Sequence, residues 1–394
     1  MQNGGHCAPM LYIDPADPSI GHFELANFHG IESLCETESI DCEFRRQPGV
    51  RGLYSTQEVD AAKRSIDTLR QTDETLANHV RLVTDVSELE KLRVPTATGA
   101  VVTDTAARMW PYKFVARILE DLLTSNSLSG FFNLQTYTPV TKLRSTTGDP
   151  AKWTLETDRG TMTAISVVLA TNAYTSHLLP SFSDLIVPCR GQMSALIPPP
   201  SASGNNGLET SFGFLGPSQD DYLVSLSPKR GEMLMFGGGR SNGESLGITD
   251  DSVIDEKTAA YLRRALVPLL GLRERHGGSE LSELEATHLW SGIMGFSRDD
   301  LPFVGPVDDM PGVFVSSGYT GHGMPNAWLC GKAVGIMVKQ SASGADEDQA
   351  IKHAVKETGL PQAYLASSER LQKARSLPSV ETTDKLSMFK AEFS

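Results

Sequence analysis

The sequence predicts an α/β protein in which a helix-covered sheet of parallel type is interleaved with a separate antiparallel sheet. Three observations carry that reading. The apolar run Val167-Val168-Leu169-Ala170 ends in a short polar turn, as a buried parallel strand does. The strand-like stretch Gly312 to Ser317 runs through a glycine-rich turn into a helix, and short strands cluster between Ser211 and Phe236. With 394 residues, 40% of them apolar and 21% charged, the chain can bury a substantial core of two or three domain-sized units.

Taken in order, a glycine-rich turn appears at once, at Asn3-Gly4-Gly5-His6, so the chain reads as though it opens in mid-fold. Glu58 to Leu69 and Thr72 to Leu92 carry spaced apolar residues on polar backgrounds and predict surface helices. Pro111 opens a stronger helix, because Phe114, Val115, Ile118, Leu119 and Leu122 recur at helical spacing; it should cover a sheet face. Phe131 to Leu143, Trp153 to Thr157 and the run from Thr161 predict an antiparallel meander feeding the buried strand to Thr171. Pro198 to Gly207 is a loop, and Ser211 to Phe214, Asp221 to Ser225 and Glu232 to Phe236 form the separate antiparallel sheet. Glu256 to Leu270 is amphipathic, His288 to Gly292, Leu301 to Gly305 and Gly312 to Ser317 return to strand patterns, and a helix extends to about Lys339. Beyond Ser341 the polar tail is expected to be peripheral.

Charge and motif content exclude several function classes. Thirty-five Lys and Arg against 48 Asp and Glu give a formal charge of −13, which disfavours nucleic acid and anionic membrane as partners. Cys7, Cys35, Cys42, Cys189 and Cys330 include no Cys-x-x-Cys pair and predict reduced thiols. No basic leader, 18-residue apolar run or Asn-x-Ser/Thr acceptor occurs, so a cytoplasmic location is expected. No spacing of His, Cys, Asp or Glu argues for a metal, and there is no Walker A sequence.

Gly318-Tyr319-Thr320-Gly321-His322-Gly323-Met324-Pro325 is the strongest local signal. Free N–H groups and a helix start there suit a phosphate or an electron-rich carbonyl, although a plain tight connection has the same pattern. Ala170-Thr171-Asn172 is a weaker case of the same arrangement. Asn3-Gly4-Gly5-His6 lets backbone approach a flat ligand, or is simply a turn. His6 and His322 are candidate acid–base groups or ordinary histidines. Arg190, in Pro188-Cys-Arg-Gly-Gln192, suits a substrate carboxylate or an internal acid. Gly239-Arg240-Ser241-Asn242-Gly243 matches the nucleophile-elbow spacing of serine hydrolases, but Glu244 to Asp251 has no helical face to follow it.

Asn3-Gly-Gly-His6, Val168-Leu-Ala-Thr-Asn172, Pro188-Cys-Arg-Gly-Gln192, Leu289-Trp-Ser-Gly-Ile-Met-Gly-Phe-Ser-Arg-Asp-Asp-Leu-Pro-Phe-Val-Gly305 and Gly318-Tyr-Thr-Gly-His-Gly323 together, in this order, resemble the D-amino-acid-oxidase-like family of FAD-dependent oxidoreductases. The likeness spans roughly residues 1 to 340 and leans to fungal and bacterial members acting on amines or amino acids. It implies an FAD-binding Rossmann-like domain, here incomplete, interleaved with an antiparallel-sheet substrate domain. The implied FAD-binding part is 1–45, 105–187 and 286–340, the substrate part 46–104 and 188–285, with 341–394 as a C-terminal extension.

The resemblance implies FAD as cofactor, bound by Asn3, Gly4, Gly5, Thr171, Asn172, Gly318, Tyr319, Gly321, His322, Gly323 and Met324, with His322 and His6 as catalytic candidates. It implies a substrate pocket with Arg190, Gln192, Trp290 and Met294, an amine or amino-acid substrate, and molecular oxygen as acceptor. The expected reaction is hydride transfer from a C–H beside nitrogen to the flavin, in fungal relatives within secondary metabolism. The sequence departs from the family at one point. No Gly-x-Gly-x-x-Gly turn is present; Gly237/Gly239 and Gly321/Gly323 have Asn242 and Asn326 where the third glycine belongs. The chain therefore reads as a member that begins after its dinucleotide motif, and a cofactor-free binding or isomerising protein on the same fold is the alternative. A serine hydrolase using Ser241 is the least favoured class.

Overall fold

The computed structural model describes residues 3–125, 131–146, 152–272, 275–276 and 279–379. Two compact units emerge, one from Met1–Tyr112 and Arg190–Ile293, the other from Lys113–Cys189 and Met294–Thr383.

The first unit is built on a nine-stranded sheet. Its strands run in the order His6–Cys7, Gly99–Arg108, Arg45–Leu53, Ser211–Gly216, Gln219–Ser225, Leu234–Gly238, Ile186–Leu196, Ala286–Ser297, with Val80–Val83 also paired to Gly99–Arg108. Ile186–Leu196 and Ala286–Ser297 contain two of the chain crossings between units, and the helix Pro111–Thr124 a third. All registered pairs are antiparallel except Ser211–Leu215 beside Gly49–Leu53. The predicted antiparallel block is thus present, joined at its edge to strands from the chain's opening third. Its core is aliphatic and aromatic: Val50, Phe212, Phe214, Leu223 and Phe236 from the sheet meet Leu262, Leu266 and Leu269 of the helix Glu256–Leu269. Asp255 starts that helix by accepting the Thr258 N–H at 2.8 Å.

Two expectations for this unit change. Thr72 to Leu92 is not one helix: Glu74–Ala77 and Val86–Lys91 flank the strand Val80–Val83. Asp73 and Asp85 each cap a short helix, and the segment between them, with β-branched Val80 and Val83 at its ends, pairs along Gly99–Arg108. Residues 3–45, grouped by resemblance with the FAD-binding part, lie in the first unit, where His6 and Cys7 pair with Arg108 and Ala107.

The second unit contains a three-stranded sheet, Phe303–Pro306, Val313–Ser317 and Val167–Leu169, whose last pair is parallel. It also contains the antiparallel meander Val140–Thr146, Lys152–Thr157, Gly160–Ala164. Val167 and Leu169 are buried but Val168 is 46% exposed, so this strand alternates instead of being covered on both faces. The helix Pro111–Thr124 likewise covers less than its pattern predicts: Phe114 packs edge-on against Trp328, while Val115 and Leu123 are exposed. The polar tail is not peripheral. Helix Glu347–Thr358, whose small Ala350 and Ala354 are buried, packs against Ala327–Ala342, and Tyr364, Leu371 and Ala374 are buried as well. Small residues let two helices approach closely without a long apolar pattern, which is why hydropathy alone misses them. No helix among the described residues is long and apolar enough to cross a membrane.

Candidate functional site

In the second unit the strand Val313–Ser317 ends at Gly318, whose φ of 80° an L-residue side chain would strain. Thr320 and Gly321 also have positive φ, so the chain turns tightly before the helix Ala327–Ala342 begins. This turn is fixed by its own polar accounting. Asn172, itself at φ 44°, accepts the N–H groups of Gly318 and Tyr319 with one side-chain oxygen, at 3.0 and 3.3 Å. The Thr320 N–H donates to the Gly295 carbonyl at 2.8 Å, and the His322 N–H to the Tyr319 carbonyl at 2.7 Å. The Thr320 hydroxyl lies 2.9 Å from that of Ser297, and Tyr319 Oη lies 2.7 Å from Ser316 Oγ. Burial pushes the Tyr319 phenol well above its ordinary range.

Among the described residues, the N–H groups of Gly321 and Gly323 are left without a protein acceptor. A Cβ added at Gly321 would come no nearer than 3.6 Å to anything, its neighbour being the Met294 sulfur. Asn326 holds the turn to the start of the helix: its amide donates to the His322 carbonyl at 3.1 Å, and its oxygen accepts the Tyr364 hydroxyl at 2.9 Å. The tail that hydropathy reads as peripheral therefore buttresses this turn.

In the first unit Asn3 accepts the Gly5 N–H at 2.6 Å and closes the opening turn. Gly5 has φ 91°, and a side chain there would strike the Met109 carbonyl. Gly4 donates its N–H to the Tyr222 hydroxyl at 2.9 Å, and that hydroxyl lies 3.0 Å from the Met193 sulfur. A Cβ at Gly4 would meet the Met193 methyl group, and one at Gly237 its sulfur, so both glycines lie against the same methionine. His6 stacks at a tilt on Tyr222, ring centroids 5.3 Å apart. Desolvation pushes the Tyr222 phenol up to about 12, so it remains protonated.

The other expected site residues fall as follows. Thr171 pairs its hydroxyl with Thr175 at 2.8 Å beside the Asn172 turn. Arg190 is buried and donates to the Glu244 carbonyl at 2.9 Å; the carboxyls of Asp250 and Asp255 are held low chiefly by hydrogen bonds from Ser252 and from the Thr258 N–H, with a smaller contribution from the Arg190 charge. Gln192 spends both ends of its amide on the Asp255 backbone, at 2.9 and 3.1 Å, and so fixes a helix start. Trp290 is half-buried in the first unit; Met294, half-buried in the second, packs with Val187, Cys189 and Phe296. Met324 lies in the turn before the helix. Ser241 is exposed, donates to the Ser218 carbonyl at 2.6 Å, and has no helix behind it until Glu256, so the strand–Ser–helix elbow is not formed. Tyr222, Met193 and Met109 were not singled out from sequence; each lies in or beside a strand with nothing local to separate it from ordinary core. No group of three or more metal-ligating side chains occurs among the described residues.

The profile of the family described as FAD dependent oxidoreductase matches residues 2–335. The protein named "Probable oxidoreductase OrdL" from Rhizobium meliloti (strain 1021) is 30% identical over 180 residues, 45% of this chain and 36% of its own length. The matched stretch thus spans about a third of that relative. Glycine oxidase from Geobacillus kaustophilus superposes with a TM-score of 0.66 at 21% identity, over 85% of this chain and 83% of its own. Iminodiacetate oxidase from Chelativorans sp. BNC1 gives 0.63 at 15% identity, over 88% and 86%. At these identities the likeness to both solved structures is one of fold.

Proposed function

The chain belongs to the FAD-dependent oxidoreductase family that its residues 2–335 match, and from that premise we propose that it oxidises a C–N bond of a small amine or amino acid with molecular oxygen as acceptor. The solved relatives named glycine oxidase and iminodiacetate oxidase support that substrate class. The observation that carries the reading is the turn Gly318–Gly323, which satisfies its other N–H groups internally and leaves those of Gly321 and Gly323 with no acceptor among the described residues.

The fit to FAD is local. Each bare glycine turn, taken within its own unit, leaves backbone open to a flat, electron-rich group, since a side chain at Gly5 or Gly318 would strain the backbone or strike a neighbour. The pyrophosphate-cradling Gly-x-Gly-x-x-Gly turn does not occur in residues 1–394. When bound, FAD supplies hydride acceptance from a C–H beside nitrogen. The chain's own residues bind and orient. Gly321, Gly323 and the start of Ala327–Ala342 direct positive partial charge at an electron-rich group. Asn172 and Thr320 hold that turn in shape, and Tyr222 and Met193 do the same for Gly4. His322 and His6 hold or move protons at their ring nitrogens. Arg190 offers a cation to a substrate carboxylate, and Trp290 and Met294 offer apolar walls.

Purified protein incubated with FAD and desalted should be yellow, and its visible absorbance should bleach anaerobically on adding the oxidisable amine or amino acid. A colourless protein that FAD does not stabilise against heat overturns the reading and favours a cofactor-free cavity on the same fold.

A further inference from the structure

Outside these turns, two thiols lie side by side at the end of the helix Pro18–Thr37. The sulfurs of Cys35 and Cys42 are 3.4 Å apart and both side chains are buried. The chain is folded to bring them together. Beyond Thr37 it reverses through Ser39 at φ 51°, the Ile40 N–H donates to the Cys35 carbonyl at 2.9 Å, and the Cys42 N–H to the Ile40 carbonyl at 2.8 Å. The Cys42 carbonyl is pinned in turn by the Trp110 N–H at 2.7 Å. We propose that Cys35 and Cys42 are an oxidisable dithiol, which a small neutral hydroperoxide converts to an intramolecular disulfide.

The sulfurs need approach each other by only about 1.4 Å to reach bonding distance. The two thiols are also unequal. The Cys35 thiol and the backbone N–H groups of Phe44 and Cys42 hold Cys42 below its ordinary range, while the same bond and burial hold Cys35 above it. Cys42, whose sulfur faces two backbone N–H donors as well as the Cys35 sulfur at 3.4 Å, is the attacking sulfur. It takes one peroxide oxygen as the O–O bond breaks, leaving a sulfenic acid and releasing water or the corresponding alcohol. Cys35 then attacks that sulfur, the S–O bond breaks and a second water leaves. Two thiols have lost two electrons and two protons, and the peroxide has been reduced. The choice of oxidant follows from the surroundings: Glu36 and Asp41 act electrostatically on the pair, as does Glu32, whose charge Arg46 partly offsets at 3.6 Å, so an anionic disulfide such as oxidised glutathione is disfavoured and an uncharged peroxide is not. Cys7, by contrast, is pushed up to about 12 by burial and stays a thiol.

The test uses the purified full chain, exposed to hydrogen peroxide, quenched, denatured, alkylated and mapped by mass spectrometry. Titratable thiols should fall from the five of the sequence to three, with a dithiothreitol-reversible link between the Cys35 and Cys42 peptides. Retention of all five, or a link between any other pair, overturns the proposal. In Cys35→Ser the link should vanish and Cys42 should be trapped by dimedone; no adduct at Cys42 overturns its assignment as the attacking sulfur. The wild-type map decides on its own if that variant does not fold. Equal concentrations of oxidised glutathione should close the pair far more slowly, and an equal rate overturns the assignment of the oxidant.

Discussion

Asp221 is the carboxylate at which pH should act most visibly. It is 2% exposed, accepts the Gly239 N–H at 2.7 Å with one oxygen, and accepts the Tyr261 hydroxyl and the Gln219 amide at 2.5 and 2.9 Å with the other. Burial outweighs those bonds and pushes its carboxyl from 3.8 up to about 6. A raised acid binds its proton more readily in the folded than in the unfolded chain. Its stabilising contribution is therefore complete below 3.8 and is lost as pH rises through about 6. At about 1.36 kcal/mol per pH unit, that displacement is worth about 3 kcal/mol. Asp221→Asn keeps the shape and cannot ionise, but its NH2 replaces an oxygen that accepts two donors, a constant cost of about 1–3 kcal/mol. The informative quantity is thus a double difference. Between about pH 4 and pH 7.5, a window that opens just above 3.8 and so captures most of that displacement, wild type should lose about 2.4 kcal/mol relative to the variant, read from urea melts at both pH values. If the two proteins change in parallel to within about 0.5 kcal/mol, the charge on Asp221 is not what burial opposes and the reasoning is refuted.

Two further outcomes test the glycine turns. Asn172→Ala removes the acceptor of two N–H groups and leaves a residue poorly suited to φ 44°; it should cost about 2–4 kcal/mol and weaken FAD binding in a fluorescence titration, whereas Asn172→Asp, which keeps the accepting oxygen, should stay near wild type in both. Tyr222→Phe strands the Gly4 N–H and should cost about 1 kcal/mol in a urea melt with a several-fold loss of FAD affinity; unchanged affinity would detach the opening turn from the cofactor.

What could be read from sequence was what repeats locally. Strand, glycine turn and helix start announced Gly318–Gly323 because each element has a short-range pattern, and the antiparallel strands from Ser211 to Gly238 alternate in the same legible way. What escaped depends on partners distant along the chain. Asn172 meets the Gly318 N–H across 146 positions, and Gly4 meets Tyr222 across 218. Neither contact leaves a trace in local periodicity. Cys35 and Cys42 are seven apart, a spacing that on a continuous helix would place them about two turns apart along one face. They touch only because the helix stops at Thr37 and the chain reverses at Ser39.

The polar accounting of Gly318–Gly323 also sharpens what a helix start can and cannot do. Counted from sequence, every N–H from Gly318 to Gly323 is a potential donor to a ligand. In the folded chain Asn172 takes two, Gly295 takes a third and Tyr319 a fourth. Those internal bonds give the turn a fixed shape before any ligand arrives, so little ordering remains to oppose binding. The donors left at Gly321 and Gly323 are few but held in place, and they sit on the residues whose missing side chains leave room for a flat partner. Asn172 consumes two of the donors, and Asn326 ties the turn to its own helix and to Tyr364. Selectivity at such a turn therefore comes as much from the N–H groups the protein removes from service as from those it presents.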